Sequence, residues 1–242
     1  MIRVEFRDVT KYYTLLNTGG IKTFLFNLFS NIKKIKDSKV LALKNINFKV
    51  DDGDVVGIIG KNGAGKSTTL GLIAKVLEPS SGEVIVNGKV APLLELGAGF
   101  HPDLSGRENI ILNGILLGMR KKEILAKLDS IIEFSEIGDF IDQPIRIYSS
   151  GMLSRLGFSV AVHTNPDILL IDEVLSVGDF RFQQKSKNKI YEFKNLGKTI
   201  IFVSHDIDVV KELCSKVVVI DKHKIIYNGD IEDGVRIYES LV

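Results

Sequence analysis

The chain of 242 residues holds a single cysteine, Cys214, so no internal disulfide can staple the fold, and that residue is expected to serve as a small buried apolar side chain. It also holds no long apolar run. Stretches such as Ile168 to Ile171 and Val217 to Ile220 are strand-length, far short of the ~20 residues a membrane-spanning helix needs, and the chain is not expected to cross a bilayer. The opening residues, Met1-Ile2-Arg3-Val4-Glu5-Phe6-Arg7-Asp8, lack the apolar core of a secretory signal, which together with the lone thiol favours a reducing cytoplasm. Neither sign of charge prevails, because the formal net charge is only +2, and without a basic footprint no nucleic-acid partner is expected. There is no internal repeat and no low-complexity tract. What remains, 45% hydrophobic and 26% charged, suits one large α/β domain spanning 1–242, with room for an inserted subdomain.

The strongest positive signal is Gly60-Lys61-Asn62-Gly63-Ala64-Gly65-Lys66-Ser67, directly after the apolar run Val55 to Ile59 and before a helix-compatible segment from Thr68 onward. Glycines at this spacing let backbone N–H groups wrap phosphates; Lys66 reaches the β/γ oxygens and Ser67 offers a hydroxyl to Mg²⁺. The chain is therefore expected to bind a nucleoside triphosphate, with ATP and Mg²⁺ as cofactors.

Around this loop the pattern is mixed. Segments Ile2 to Phe6, Ala42 to Val50, Val55 to Ile59 and Gly82 to Val86 read as strands. Ser105-Gly106-Arg107-Glu108 is a capping box that opens a helix. Helical periodicity then dominates to about Thr164, with Met119 to Phe134 its clearest element. Asp167 to Ile171 and Thr199 to Val203 are continuous apolar runs, as expected of strands buried on both faces of a parallel sheet. Val217 to Ile220 and Lys224 to Tyr227, joined by Asp221-Lys222-His223, read as a closing hairpin.

Strand 168 to 171 ends in Asp172-Glu173. At the carboxyl end of a core strand such a pair faces the ligand crevice of an open α/β sheet. Asp172 is the expected Mg²⁺ partner, directly or through water, and Glu173 is placed to polarise the water that attacks the γ-phosphate. His205, after the strand 199 to 203, occupies a further strand end and could donate to a γ-phosphate oxygen. His101, His163 and His223 carry no such positional signal and are read as ordinary core or capping residues.

Tyr148-Ser149-Ser150-Gly151-Met152 precedes the acidic pair and opens a helical stretch, Leu153 to Val162. Here the chain resembles the nucleotide-binding subunits of ABC transporters over essentially its whole length, with Ser149 to Met152 in the place of the Ser-Gly-Gly-Gln signature. The resemblance implies a homodimer that sandwiches ATP, with Ser149 and Gly151 contacting the γ-phosphate held by the partner copy. Ser150 and Met152 depart from the pattern. It also puts Asp179, in Leu175-Ser176-Val177-Gly178-Asp179, near the subunit interface, and Tyr13, or its neighbour Tyr12, where an aromatic stacks on adenine. The expected glutamine contact to Mg²⁺ is missing; Glu95 is the nearest replacement, although a gapless count lands on Leu96. The cofactor-binding set implied is Tyr13, Gly60, Lys61, Asn62, Gly63, Ala64, Gly65, Lys66, Ser67, Thr68, Ser149, Gly151, Asp172 and Asp179. Lys66, Glu173 and His205 carry the chemistry, and Ser67, Asp172 and Glu95 face the metal.

Leu94 to Pro102, Ser105 to Asn109, Arg155 to Val160 and Val174 to Asp179 with Phe182-Gln183-Gln184-Lys185 are similar to the ATPases that export O-antigen, capsule-like and teichoic-acid polysaccharides. Residues 14 to 40 fit that subfamily. At about 100° per residue, Ile21, Phe24, Leu25, Leu28, Ile32 and Ile35 share one face, and Thr23, Asn27, Ser30, Lys33 and Lys34 lie opposite. This amphipathic helix, about 21 to 36, either lies at the membrane surface or against a membrane-spanning partner, or packs on the ATPase core. The chain ends soon after Gly229-Asp230, as in the short exporters without a carbohydrate-binding domain, and is not expected to read a glycan end itself.

The fold expected is α/β: a P-loop NTPase (RecA-like) core with an antiparallel β subdomain and an α-helical subdomain inserted at about 100–165. The function implied is an ATPase, peripheral at the cytoplasmic face of the inner membrane, that works with a separate transmembrane permease to export lipid-linked polysaccharide. A soluble ATPase acting on ribosomes or nucleic acid, the ATPase of another transporter, and a regulatory subunit that binds ATP without useful turnover are the alternatives.

Overall fold

The computed structural model describes residues 1–14, 39–93, 96–172 and 178–241. The chain begins with β1 (Ile2–Thr14) and β2 (Lys39–Asp51), continues through β3 (Val55–Ile59) into α1 (Lys66–Ile73), and returns as β4 (Ser81–Val86) and β5 (Val90–Leu93). Strands β1, β2 and β4 form an antiparallel sheet in the order β2-β1-β4. The expected strand from Ile2 to Phe6 runs on to Thr14, because a register shift between Phe6 and Val9, with Asp8 in a left-handed conformation (φ 48), lets the pairing resume beyond a bulge.

Three helices follow: α2 (Gly106–Leu116), α3 (Lys121–Ser135) and α4 (Ser150–Val162). The Ser105–Glu108 capping box forms as expected, with the Ser105 hydroxyl accepting from the Glu108 N–H and the Glu108 carboxylate accepting from the Ser105 N–H at 2.8 Å. Ile110, Ile124, Ile131, Leu156 and Val160 pack together, giving these helices an apolar cluster of their own.

The second sheet has the order β5-β6-β7-β3-β8-β9. It is completed by β6 (Ile168–Asp172), β7 (Thr199–Val203), β8 (Lys216–Asp221) and β9 (Lys224–Gly229). Pairing is parallel from β5 through β8, and only β8–β9 is antiparallel. Alternate residues of each central strand feed opposite cores. Ile59, Leu169, Ile171, Ile200, Phe202 and Val219 join one, while Ile58, Leu170, Ile201, Val203, Val218 and Ile220 join the other, against β1, β2 and α1. Burial on both faces explains why these strands read as unbroken apolar runs. Helices α5 (Phe180–Asn195), α6 (Ile207–Leu213) and α7 (Ile231–Glu239) supply residues such as Phe182, Val210 and Val235 to the first of those cores.

A buried polar hub fixes the turn before α2. Asn109 has no exposed surface; its Nδ2 donates to the carbonyls of His101, Leu104 and Ser105 at 3.1, 3.0 and 2.9 Å. Its Oδ1 accepts from the His101 N–H at 2.7 Å. The three carbonyls also accept backbone N–H groups, from Leu104, Ile145 and Asn109 itself, so an apolar residue of similar size orphans chiefly the His101 N–H and strips each carbonyl of its second bond; a buried orphan costs about 1–3 kcal/mol. Asn109→Leu is expected to lower stability by about 3 kcal/mol, read as a lower urea midpoint with an unchanged m value.

Candidate functional site

Parallel pairing brings three strand ends together. Ile58 of β3 pairs with Val203 of β7, and Asp172 of β6 pairs with the same Val203. The loop after β3, the carboxylate ending β6 and the segment Ser204-His205-Asp206 after β7 therefore leave one edge of the sheet side by side.

The loop Gly60 to Gly65 turns straight into α1. Gly65 caps that helix with φ 114 and no side-chain hydrogen bond, so the first-turn N–H groups are left to an anionic ligand and the positive end of the helix dipole faces it. No other residue fits there: a Cβ on Gly65 would lie 2.5 Å from Leu43 Cδ2 and 2.6 Å from the Ala42 carbonyl oxygen. Lys66 is mostly buried, and its ammonium donates to the carbonyls of Gly60 at 2.8 Å and Lys61 at 3.3 Å.

A cavity of about 620 Å³ opens over this loop. Of the residues singled out from the sequence, Tyr13, Asn62, Gly63, Gly65, Lys66, Ser67, Thr68 and Asp172 all line it. The choice between the two tyrosines resolves by strand alternation: Tyr13 lines the cavity, its Oη 3.3 Å from Thr68 Oγ1, whereas the Tyr12 backbone N–H donates to Ser80 Oγ and its ring lies 6.0 Å from the Lys39 ammonium. His205 is exposed in the segment between β7 and α6, at the neighbouring strand end. Glu173 and Glu95 lie outside the described residues, as do residues 21–36. Leu96, where the gapless count fell, is described and lines a smaller cavity of about 410 Å³ that shares Ser67 and Asp172 with the first.

Ser149, Gly151 and Asp179 are elsewhere. They line a separate cavity of about 640 Å³ that shares no residue with the phosphate-loop cavity. Ser149 caps α4, its hydroxyl accepting from the Met152 N–H at 3.2 Å, which is why the helix starts ahead of the expected Leu153. Asp179 caps α5 by accepting from the Phe182 N–H at 3.0 Å and forms a short ion pair with Arg155 of α4. The Phe182 N–H, followed by Arg155, holds the Asp179 carboxyl below the usual carboxylate range. Glu136 continues the chain of charges, 3.8 Å from Arg155 and 3.0 Å from Lys185.

Two readings of ordinary residues can be set against the structure. Cys214 is buried beside Gly57, and burial pushes its thiol up to about 12, keeping it protonated and inert. His163 caps the end of α4, its Nδ1 2.7 Å from the Ser159 carbonyl, and burial holds it below the usual imidazole range. His223 is different: read from the sequence as unremarkable, it lines the phosphate-loop cavity, as do Val40, Leu41 and Ala42 of β2. The hairpin expected at Asp221 to Lys224 was the available signal, since β8 ends at the same sheet edge as β3.

A family model described as ABC transporter matches residues 43–176. The chain is 50% identical over 241 residues to the O-antigen export system ATP-binding protein RfbB of Klebsiella pneumoniae, covering 99% of this chain and 98% of that one. It is 45% identical over 242 residues to the teichoic acids export ATP-binding protein TagH of Lactococcus lactis, where it spans 100% of its own length and 51% of the relative's. Among solved structures, an ATP-binding subunit of an ABC transporter superposes with a TM-score of 0.77 at 21% identity, over 98% of this chain and 93% of the other. A dimeric ATP-binding cassette, MJ0796 bound to ADP and Pi, gives 0.73 at 22% identity, over 94% and 98%. These two likenesses establish the P-loop NTPase fold, and the matched family model together with the RfbB relative, covered over nearly its whole length, establishes the family: the chain belongs to the ABC transporter family.

Proposed function

We propose that this chain is the ATP-hydrolysing subunit of a transporter that exports lipid-linked polysaccharide of the O-antigen type. The observation that carries the export half is the likeness to RfbB, 50% identical over 98% of that protein's length. The cavity over the phosphate loop supports the ATPase half. In this reading residues 1–242 are one ATPase domain, with the helices of about 100–165 as its inserted subdomain.

Triphosphate oxygens sit on the N–H groups of Gly63 to Thr68, and Lys66 exchanges the carbonyls of Gly60 and Lys61 for β/γ oxygens. The Tyr13 ring, at the strand end beside Thr68, stacks on the base. Ser67 is exposed and Asp172 half-buried on the cavity wall. The described residues contain no cluster of three or more His, Cys, Asp or Glu side chains that could hold a metal. One hydroxyl and one carboxylate are the sparse hard-oxygen donor set that suits Mg²⁺ completed by substrate phosphates. When bound, Mg²⁺ supplies charge neutralisation on the phosphate oxygens.

Hydrolysis forms a bond from the water oxygen to the γ-phosphorus and breaks the bond to the β–γ bridging oxygen, releasing ADP. Glu173, following Asp172 directly, orients that water and accepts its proton; His205 donates to a γ-phosphate oxygen from the adjacent strand end. Because the cavity holding Ser149 and Gly151 shares no residue with the loop's cavity, the signature helix is assigned to the nucleotide of a second copy, which makes the working unit a homodimer with Asp179 at its interface.

No helix among the described residues is long and apolar enough to cross a membrane; in this reading a separate transmembrane permease carries the polysaccharide. The chain then works as a peripheral subunit at the cytoplasmic face of the inner membrane. The segment 21–36, by its amphipathic pattern, is assigned to the contact with that permease or with the lipid surface beside it.

Glu173→Gln is expected to lower kcat at least about 100-fold while ATP remains bound, and to shift the chain to a dimer in size-exclusion chromatography with ATP. A variant that turns over at the wild-type rate removes Glu173 from the role of base. For the segment 21–36, the double variant Phe24→Asp, Leu28→Asp is expected to abolish surface polysaccharide in complemented cells. Its purified form should retain ATPase within about twofold, a difference below about 0.5 kcal/mol in barrier. Loss of ATPase together with folded protein would instead put that apolar face against the ATPase core.

A further inference from the structure

His223 combines a costly backbone conformation, a double anchor and a place on the cavity wall. It is the second residue of the two-residue loop between β8 and β9, since Asp221 pairs with Lys224. Both loop residues are left-handed, with φ 45 at Lys222 and 68 at His223. This geometry matches the tight hairpin turn that favours Asn-Gly. Left-handed backbone is uncommon outside glycine even for histidine, one of the residues that enters it more readily, and such positions concentrate where the surroundings over-determine them.

The surroundings do so here. The Lys44 N–H donates to the His223 carbonyl at 2.8 Å, and His223 Nδ1 lies 3.2 Å from the Ala42 carbonyl oxygen. Both bonds fasten the turn to β2, the strand that also packs against Gly65. His223 thereby lines the phosphate-loop cavity beside Ala42 and Gly63, and separates it from a smaller space of about 330 Å³ lined by Lys61 and Lys222.

The anchor fixes the ring's chemistry. A carbonyl only accepts, so Nδ1 carries a proton and donates to Ala42, and an imidazole protonated at Nδ1 alone has Nε2 as an acceptor. A nucleoside triphosphate offers few donors to such an atom. Its phosphates only accept, and its base belongs at Tyr13, which leaves the sugar that links the two. We propose that His223 accepts a hydrogen bond from a ribose hydroxyl and so makes the site prefer ribonucleotides over their deoxy analogues; this rests on the reading of the cavity as an ATP site.

The test is the affinity of the full chain for ATP and for 2′,3′-dideoxy-ATP in magnesium-free buffer, where turnover does not interfere, for wild type, His223→Gly and His223→Asn. Glycine and asparagine both suit a left-handed turn position, so the hairpin is retained, and melting temperatures within a few degrees of wild type verify it. Wild type is expected to bind ATP about 3- to 10-fold more tightly than the dideoxy analogue, the range of one neutral hydrogen bond. In both variants ATP affinity should fall by that factor, dideoxy affinity should hold, and the ratio should approach unity. A ratio retained in His223→Gly, or absent from wild type, overturns the assignment to the ribose. Wild type that binds neither nucleotide overturns the ATP reading itself and this assignment with it.

Discussion

The parallel ladder running β6-β7-β3-β8 is the constraint on which the site depends. Each strand of that ladder is buried on both faces, so its backbone groups have no partner except the neighbouring strand. Satisfying them fixes the register, and the register fixes which residue leaves each strand at the carboxyl edge. Asp172 opposite Val203, and Val203 opposite Ile58, follow from that pairing and from nothing local to the site. The phosphate loop adds a second condition, because the backbone at Gly65 approaches β2 too closely for any side chain. The antiparallel sheet is thus a wall of the cavity as well as a support for the core.

The phosphate-loop cavity and the cavity at the head of α4 differ in what they present. One has an uncapped helix start, a lysine held by its own loop, a hydroxyl and a carboxylate. The other is built on a capped helix start with aspartate, glutamate and arginine already engaged with each other. The first is electrostatically open to a polyanion. The second is a helix N-terminus already capped by Ser149, where small residues lie among charged ones paired with each other.

How much of this was legible in the sequence depended on whether the signal was local. Glycine spacing, the Ser105–Glu108 box, the unbroken apolar runs and the Asp221 to Lys224 hairpin each depend on neighbours in the chain, and each appears where expected. The bulge that carries β1 past Asp8 does not, because it is set by β2 and β4 rather than by β1 itself. Tyr13 and Tyr12 were indistinguishable without the strand's register. His223 was passed over for a related reason: its importance comes from a strand far away in sequence, through Ala42 and Lys44. Helix α5 shows the same limit from the other side. It is rich in lysine and polar residues, and its four buried positions, Phe182, Ser186, Ile190 and Phe193, emerge only against α4 and the sheet.

The string of charges from Asp179 through Arg155 and Glu136 to Lys185 has a mechanical consequence. Arg155 lies on α4, Asp179 at the head of α5, Glu136 just after α3 and Lys185 within α5, and the Arg155 guanidinium and Lys185 ammonium also rest on the rings of Phe182 and Phe134. Ion pairs and ring contacts together act as a rivet between the helix that begins at Ser149 and the helix that follows the β6 strand end. The head of α5 is thereby held to α4 and to the end of α3 by several contacts at once, so no single one of them carries the junction alone.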